Sequence, residues 1–167
     1  MKKRHFLNTV VVSLAAAGAG CITVGSKSPH KLDPADYDET IRVACVGDSI
    51  TFGAGIKDRK NHNYPLVMGK SLGDRFDVRN FGVSGATMLK KGDFSYWERP
   101  EFKQATEFNP HVVIIKLGTN DTKPQNWKHS AEYAADYEAM IDHFAALPTK
   151  PKIWLCSPAP VYQTRWG

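Results

Sequence analysis

Three short segments of the chain each follow an apolar run and each offer a group that acyl transfer uses. Ser49 carries a hydroxyl that could attack an ester carbonyl and form an acyl-serine. The negative charge that develops on the carbonyl oxygen needs hydrogen-bond donors already directed at it. The backbone N–H groups of Ser49 and Gly85 and the side-chain NH₂ of Asn120 could supply three such donors. Glycine lets the backbone approach a substrate without a Cβ, and an asparagine NH₂ donates while staying neutral.

These segments resemble blocks one, two and three of the SGNH (GDSL) hydrolase family, in their usual order, and the chain is most similar to its bacterial carbohydrate and sialate O-acetylesterase members. The resemblance implies that Ser49 is the nucleophile and that the N–H of Ser49, Gly85 and Asn120 form the oxyanion hole. It also implies a reaction without metal or organic cofactor. The matching segments are residues 47–53 (GDSITFG), 80–87 (NFGVSGAT) and 118–121 (GTND).

The family's fourth block, an Asp-x-x-His that supplies the general base and its orienting carboxylate, has no counterpart in the sequence. No aspartate of the chain stands three residues before a histidine. His143 directly follows Asp142, but in a predicted helix that should pack on the flank of the sheet. We therefore expect the catalytic histidine to be missing from this sequence and the fold to be truncated at its C-terminus. The six histidines are His5, His30, His62, His111, His129 and His143.

Two carboxylates flank the candidate catalytic positions and could be mistaken for members of a catalytic triad. They are Asp48, before the serine, and Asp121, after the asparagine. Carboxylates beside strand-end loops commonly accept hydrogen bonds from backbone N–H groups and hold the loop in shape. We predict this supporting role for both. Ser84 is not a rival nucleophile, because the Gly-x-Ser-x-Gly pattern is absent and the family's second block uses its glycine.

The elements that would position these loops alternate between strands and helices. This order predicts an α/β fold, a three-layer α/β/α sandwich with a parallel, flavodoxin-like sheet of strand order 2-1-3-4. In such a sheet ligands bind beyond the carboxyl ends of the strands, where all three segments lie. The β-branched, apolar runs that predict strands are 41–46, 76–81, 112–117 and 153–156, and the helix-like stretches are 64–72, 101–107 and 131–147.

The N-terminus has the order of an export signal, with a basic start, an apolar stretch and small residues before Cys21. We assign residues 1–21 to this signal, residues 22–40 to a polar tether and residues 41–167 to the hydrolase domain. Gly18-Ala19-Gly20-Cys21 is similar to a lipoprotein cleavage site, but Gly18 replaces the usual leucine, so lipidation and plain secretion both stay open. The expected location is the periplasm, the outer membrane or the extracellular space.

Charge and cysteine content exclude several classes of protein. The formal charge of the 167 residues is +5, but without Lys2, Lys3 and Arg4 the chain carries 19 basic and 17 acidic residues. No basic stripe interleaved with aromatics marks a nucleic-acid partner. Cys45 and Cys156 lie in apolar strand-like runs, and we predict free thiols because the strands that carry them should not be neighbours.

The resemblance predicts a secreted serine esterase that hydrolyses small acyl esters, acetyl above all, on carbohydrates. A lysophospholipase or thioesterase of the same family is one alternative, and a catalytically inactive glycan-binding module is another. A flavodoxin-like nucleotide binder is disfavoured because Asp48 would repel phosphate. The expected partner is an acylated glycan, with membrane contact only through a lipid at Cys21. Residues 89–93, 95–97 and 125–127 offer aromatic and polar groups that could either bind a sugar or pack the loops.

Overall fold

A computed structural model of the protein describes residues 31–158. Its centre is a four-stranded parallel sheet with the order β2-β1-β3-β4, which confirms the predicted α/β class and strand order. Parallel neighbours need crossover connections, and helices between the strands supply them. The strands are Ile41–Gly47 (β1), Phe76–Gly82 (β2), Val112–Lys116 (β3) and Lys152–Leu155 (β4).

Helices cover both faces of the sheet. The longer ones match the predicted helical stretches, while three one-turn helices in the loops were not predicted because four residues show no apolar periodicity. Four 3₁₀ turns join these elements, at Pro34–Asp36, Tyr96–Glu98, Asn120–Thr122 and Ser130–Glu132. The α-helices are Ser49–Phe52 (α1), Arg59–His62 (α2), Tyr64–Leu72 (α3), Pro100–Glu107 (α4), Pro124–Trp127 (α5) and Tyr133–Ala145 (α6).

The central strand β1 is buried on both sides because its alternate residues enter two different cores. Ala44 and Val46 face a cluster that includes Ala105 of α4 and Phe144 of α6. Ile41, Val43 and Cys45 face a second cluster against Tyr64 and Met68 of α3. This two-sided burial explains why residues 43–46 of the strand are continuously apolar. The predicted three-layer arrangement is therefore present.

Packing on the second face begins before β1. Leu32 and Tyr37 contact the second core cluster, so ordered structure starts within the stretch 22–40 that we predicted as a tether. An apolar leucine and an aromatic ring gain free energy by leaving water, which a purely polar tether could not. The predicted export signal, residues 1–21, and Cys21 lie outside the described residues. Across residues 31–158, none of the helices is long and apolar enough to cross a bilayer.

Candidate functional site

The three predicted loops leave the sheet at one common edge. In the strand register Gly47, the last residue of β1, lies opposite Gly82 of β2 and Lys116 of β3. Because all the strands are parallel, these are their carboxyl ends, where open α/β sheets bind ligands. The loops that follow therefore begin side by side.

Ser49 is the first residue of α1, two residues after β1 ends. Asp48 caps this helix, and its Oδ1 accepts a hydrogen bond of 2.9 Å from the Ile50 N–H. The helix stops after one turn at Gly53, which has a φ of 90° that favours glycine. Ser49 is partly exposed, whereas Asp48 is fully buried. The sharp strand-to-helix turn thus presents the serine to solvent on a supported backbone.

The second loop packs directly on the first. The Val83 N–H donates to the Gly47 carbonyl at 2.9 Å, and Asn80 Nδ2 donates to the Thr51 carbonyl at 2.7 Å. A Cβ on Gly82 would overlap the α1 backbone, so this close approach requires glycine. Gly85 follows with a φ of 86°. The loop that carries Gly85 is therefore fixed against the loop that carries Ser49.

Asn120 joins the third loop to the second. Its Nδ2 donates to the Ala86 carbonyl at 3.0 Å, immediately after Gly85, and the side chain is 8% exposed. This is the one hydrogen bond of the Asn120 NH₂ within residues 31–158, so its other hydrogen has no acceptor among them. The structure thus brings the loops of Ser49, Gly85 and Asn120 to one edge of the sheet.

The two flanking carboxylates have different partners. Asp121 Oδ1 and Oδ2 accept hydrogen bonds from the Leu89 and Met88 N–H groups, at 2.7 and 3.0 Å. Asp121 therefore holds the second loop from the third. Asp48 uses one oxygen for its helix cap, while its buried Oδ2 makes no close hydrogen bond among the described residues, although the Thr119 side chain and the charge of Lys116 favour its ionised form. Burial raises the pKa of both carboxyls, although their backbone hydrogen bonds act in the opposite direction.

No hydrogen bond within residues 31–158 joins a histidine ring to Ser49. His143 Nε2 lies 2.8 Å from Thr106 Oγ1, its ring packs on Phe102, and burial lowers its pKa. His111 precedes β3, at the amino edge opposite the site, where it contacts Arg42 and Glu39. His62 pairs with Asp58 on the surface, and the side chain of His129 has no hydrogen bond in this part of the chain.

The segments proposed for sugar binding divide into packed and exposed residues. Leu89, Tyr96 and Asn126 are fully buried, and Trp97 Nε1 donates to the Met88 carbonyl at 2.9 Å. These residues hold the loops, which is the packing role left open above. Trp127 is different, because 49% of it is exposed.

Several contacts of the site carried no signal in the sequence. Asp136 accepts from the Lys90 N–H at 2.8 Å, and Asn126 exchanges hydrogen bonds with Asp93 at 2.8 and 2.9 Å. Phe94, 39% exposed, places its Cδ1 3.8 Å from the position of a Cβ on Gly85. The contacts of Asp136 and Asn126 span 33 to 46 residues, so a reading of local pattern could not find them. In the described part of the chain, no group of three His, Cys, Asp or Glu side chains could hold a metal ion.

A parallel sheet with a serine turn, a glycine loop and an asparagine at its carboxyl edge defines the SGNH type of hydrolase fold. The chain belongs to the GDSL-like lipase/acylhydrolase family, whose model matches residues 45–167. The resemblance in the sequence is thereby confirmed.

Comparison with known proteins adds relatives of two kinds. The chain is 45% identical over 151 residues to an acetylxylan esterase of Xylanibacter ruminicola, covering 80% of this chain but only 32% of that protein. The chain thus spans about a third of the length of that curated relative. A carbohydrate acetylesterase family member from Sinorhizobium meliloti superposes with a TM-score of 0.59 and 23% identity, covering 75% of this chain and 66% of that one. The native aryl esterase of M. smegmatis superposes with a TM-score of 0.57 and 23% identity, covering 72% of this chain and 65% of that one. Both solved structures share the fold.

Proposed function

We propose that the protein is an exported carboxylic ester hydrolase that removes small acyl groups, acetyl above all, from glycans through an acyl-serine on Ser49. The observation that carries this proposal is the meeting of Ser49, the Gly85 loop and Asn120 at one sheet edge, with Asn120 Nδ2 3.0 Å from the Ala86 carbonyl. The 45% identity to a protein named an acetylxylan esterase supports an acetylated glycan as substrate.

In the proposed reaction, Ser49 Oγ attacks the ester carbonyl carbon while a general base takes the hydroxyl proton. The carbonyl oxygen becomes an oxyanion, which accepts hydrogen bonds from the N–H groups of Ser49 and Gly85 and the NH₂ of Asn120. Collapse expels the sugar oxygen, which takes the proton from the protonated base. Water then attacks the acyl-serine by the same route and releases the carboxylic acid.

The general base is the part of the reaction for which the described residues offer no candidate in contact with Ser49. In the family it is the histidine of an Asp-x-x-His, and the 167 residues contain no such spacing. We therefore propose that an imidazole from that fourth block completes the site in the active protein. Export, proposed from the N-terminal signal, would bring the enzyme to polymeric glycans outside the cytoplasm.

The nucleophile can be tested with a fluorophosphonate probe, which forms a covalent bond with activated serines. The full-length protein should be labelled on Ser49, and Ser49→Ala should lose the label together with activity on acetylated xylan. Ser84→Ala, at the exposed serine of the neighbouring loop, is the matched control and should still be labelled. Labelling that persists in Ser49→Ala would assign the nucleophile elsewhere.

The role of Asn120 is tested by Asn120→Ala, which removes one oxyanion donor. Loss of one such donor lowers kcat by about 10² to 10³, or roughly 2.7 to 4 kcal/mol. The effect should fall on kcat rather than KM, because the donor acts on charge that develops in the transition state. Thermal unfolding must be measured alongside, since the variant also loses the bond to Ala86. An unchanged kcat in a folded variant would remove Asn120 from the oxyanion hole.

A further inference from the structure

Two aromatic side chains stand apart from the other aromatic residues of the described chain because they are exposed. Phe94 is 39% exposed and Trp127 is 49% exposed, whereas every other aromatic ring of residues 31–158 is buried or half-buried. Single exposed apolar residues are ordinary on protein surfaces. These two, however, both lie in loops that leave the carboxyl edge of the sheet, one after β2 and one after β3.

A reciprocal pair of hydrogen bonds joins the two loops between these rings. The Asp93 N–H donates to Asn126 Oδ1 at 2.8 Å, and Asn126 Nδ2 donates to Asp93 Oδ1 at 2.9 Å. Phe94 directly follows Asp93, and Trp127 directly follows Asn126. Asn126 is fully buried, and both hydrogen bonds are partly buried. The two loop segments that carry the rings are therefore joined to each other.

The Phe94 ring is held beside the candidate oxyanion hole. The Phe94 carbonyl accepts from the Thr87 N–H at 3.0 Å, and the Arg99 guanidinium lies 4.3 Å from the ring centre. Among the described atoms, Phe94 Cδ1 alone lies within 4 Å of where a Cβ on Gly85 would be. The space above Gly85 is therefore open and bounded by this ring.

Resting on the proposed function, we infer that Phe94 and Trp127 form an aromatic rim on which successive sugar rings of a glycan chain stack while an acyl group sits at Ser49. Fixed aromatic rings offer large contact areas at a small cost in conformational entropy, and they suit the apolar C–H faces of pyranose rings. Arg99 and Gln125 add donors for sugar hydroxyls around the rim; Gln125 Nε2 contacts Asp93 Oδ2 at 3.0 Å. Two separate rings favour a chain of sugars over a monosaccharide.

A long acyl chain fits this rim less well than a glycan does. Charged and amide groups surround the two rings, including Asp93, Arg99 and Gln125. An apolar groove of the described chain lies elsewhere, on the sheet face that α3 covers, and is lined by residues such as Val43, Val112 and Trp154. Burial of an acyl chain would need a continuous apolar surface that begins at Ser49.

The rim is tested by calorimetric binding of unacetylated xylo-, manno- and cello-tetraose to the full-length protein carrying Ser49→Ala, so that binding does not depend on turnover. At least one tetraose should bind more tightly than its monosaccharide. In that background Phe94→Ala and Trp127→Ala should each raise Kd about tenfold, which corresponds to about 1.4 kcal/mol. Trp127→Phe should retain most of the affinity, and Val67→Ala, at an exposed apolar residue of α3, is the control and should not change it.

The outcomes separate the rim from the esterase reaction. Unchanged Kd values in both alanine variants, with normal folding, would overturn the rim even if the wild-type protein is labelled on Ser49. No measurable binding of any tetraose would also overturn it. A third outcome is that Phe94→Ala and Trp127→Ala weaken tetraose binding, but the fluorophosphonate does not label the protein that retains Ser49. That outcome would support the rim and refute the proposed reaction.

Discussion

Asp48 and Asp121 lie on either side of the candidate catalytic groups, yet their hydrogen bonds give them different energetic roles. Asp121 accepts two backbone N–H bonds, so both of its oxygens are used. Asp48 accepts one from Ile50, and its buried Oδ2 makes no close hydrogen bond in the described structure, although the Thr119 side chain and the Lys116 charge favour its ionised form. A buried carboxylate is costly unless hydrogen bonds compensate for its lost hydration. Asp48 is therefore less compensated by close hydrogen bonds than Asp121 is.

This difference predicts unequal effects of removing the charge. Asp121→Asn replaces one acceptor oxygen by an NH₂, so it leaves the Met88 or the Leu89 N–H unpaired and should cost roughly 1 to 3 kcal/mol of unfolding free energy at pH 7. Asp48→Asn keeps an oxygen for the Ile50 N–H and removes a buried charge, so its cost should be smaller. Urea unfolding of both variants and the wild type measures the loss of unfolding free energy in each variant. Equal losses would contradict the assigned roles.

The raised pKa values of these carboxyls also predict the sign of a pH effect. Burial raises the pKa of each group in the folded protein, so between its usual value near 3.8 and the raised value the folded state holds more protons than the unfolded state. Stability contributed by these groups therefore falls as pH rises through that window. When urea unfolding is measured from pH 4 upward, the free energy of unfolding of each asparagine variant should fall less steeply with pH than that of the wild type. If both variants keep the wild-type slope of unfolding free energy against pH, the fall is not caused by Asp48 and Asp121.

At the scale of elements, the pattern of apolar residues was sufficient to predict the strands and the longer helices. β1 and β3 contain the continuous apolar runs 43–46 and 112–115 because both of their faces are covered, and α3 was predicted with its observed bounds. α6 is shorter than predicted, because the residues before it form the 3₁₀ turn Ser130–Glu132. The positions of Ser49, Gly85 and Asn120 followed from placing family motifs at strand ends. These features depend on short stretches of sequence.

The geometry between the loops could not be predicted in that way. Residues 86–96 are fixed by Asp121, Asn126 and Asp136, each more than 30 residues away. Their acidic and amide side chains are equally ordinary on a solvated surface, so their types alone do not indicate burial. For the same reason Phe94 was not singled out, although it bounds the space above Gly85. Such contacts follow from topology and not from local pattern.

At the scale of the whole molecule, the two faces of the sheet are covered unequally by the described residues. One face carries α4 and α6, whereas the other carries α3 and the segment with Leu32 and Tyr37. A groove of about 420 Å³ remains on the second face, lined by Leu32, Pro34, Val43, Met68, Leu72, Phe76, Val112, Ile114 and Trp154. Apolar surface of this kind in water favours association of copies. The 22–167 segment on its own should therefore be poorly soluble, as light scattering would detect.

Activation of the Ser49 hydroxyl depends on a general base. A serine hydroxyl is almost wholly protonated at neutral pH, so an oxyanion hole without a positioned imidazole gives slow attack on an ester. A positioned general base contributes about 10² to 10⁴ in rate. We therefore expect residues 22–167 alone to hydrolyse p-nitrophenyl acetate slowly. A longer polypeptide, in which the same chain is joined to an Asp-x-x-His block, should be faster by about 10² to 10⁴. Replacing that histidine by alanine should remove the gain without unfolding the protein.

The histidines of this chain provide the matched controls for that comparison. His143 bonds to Thr106 at 2.8 Å and packs on Phe102, while His62 is exposed beside Asp58. Because neither ring contacts Ser49, His62→Ala and His143→Gln should leave the rate of the longer polypeptide essentially unchanged. Full activity of residues 22–167 that is lost on changing either residue would instead place the base within this chain. The Ser49 hydroxyl would then be activated by a ring that must move to reach it from the position described here.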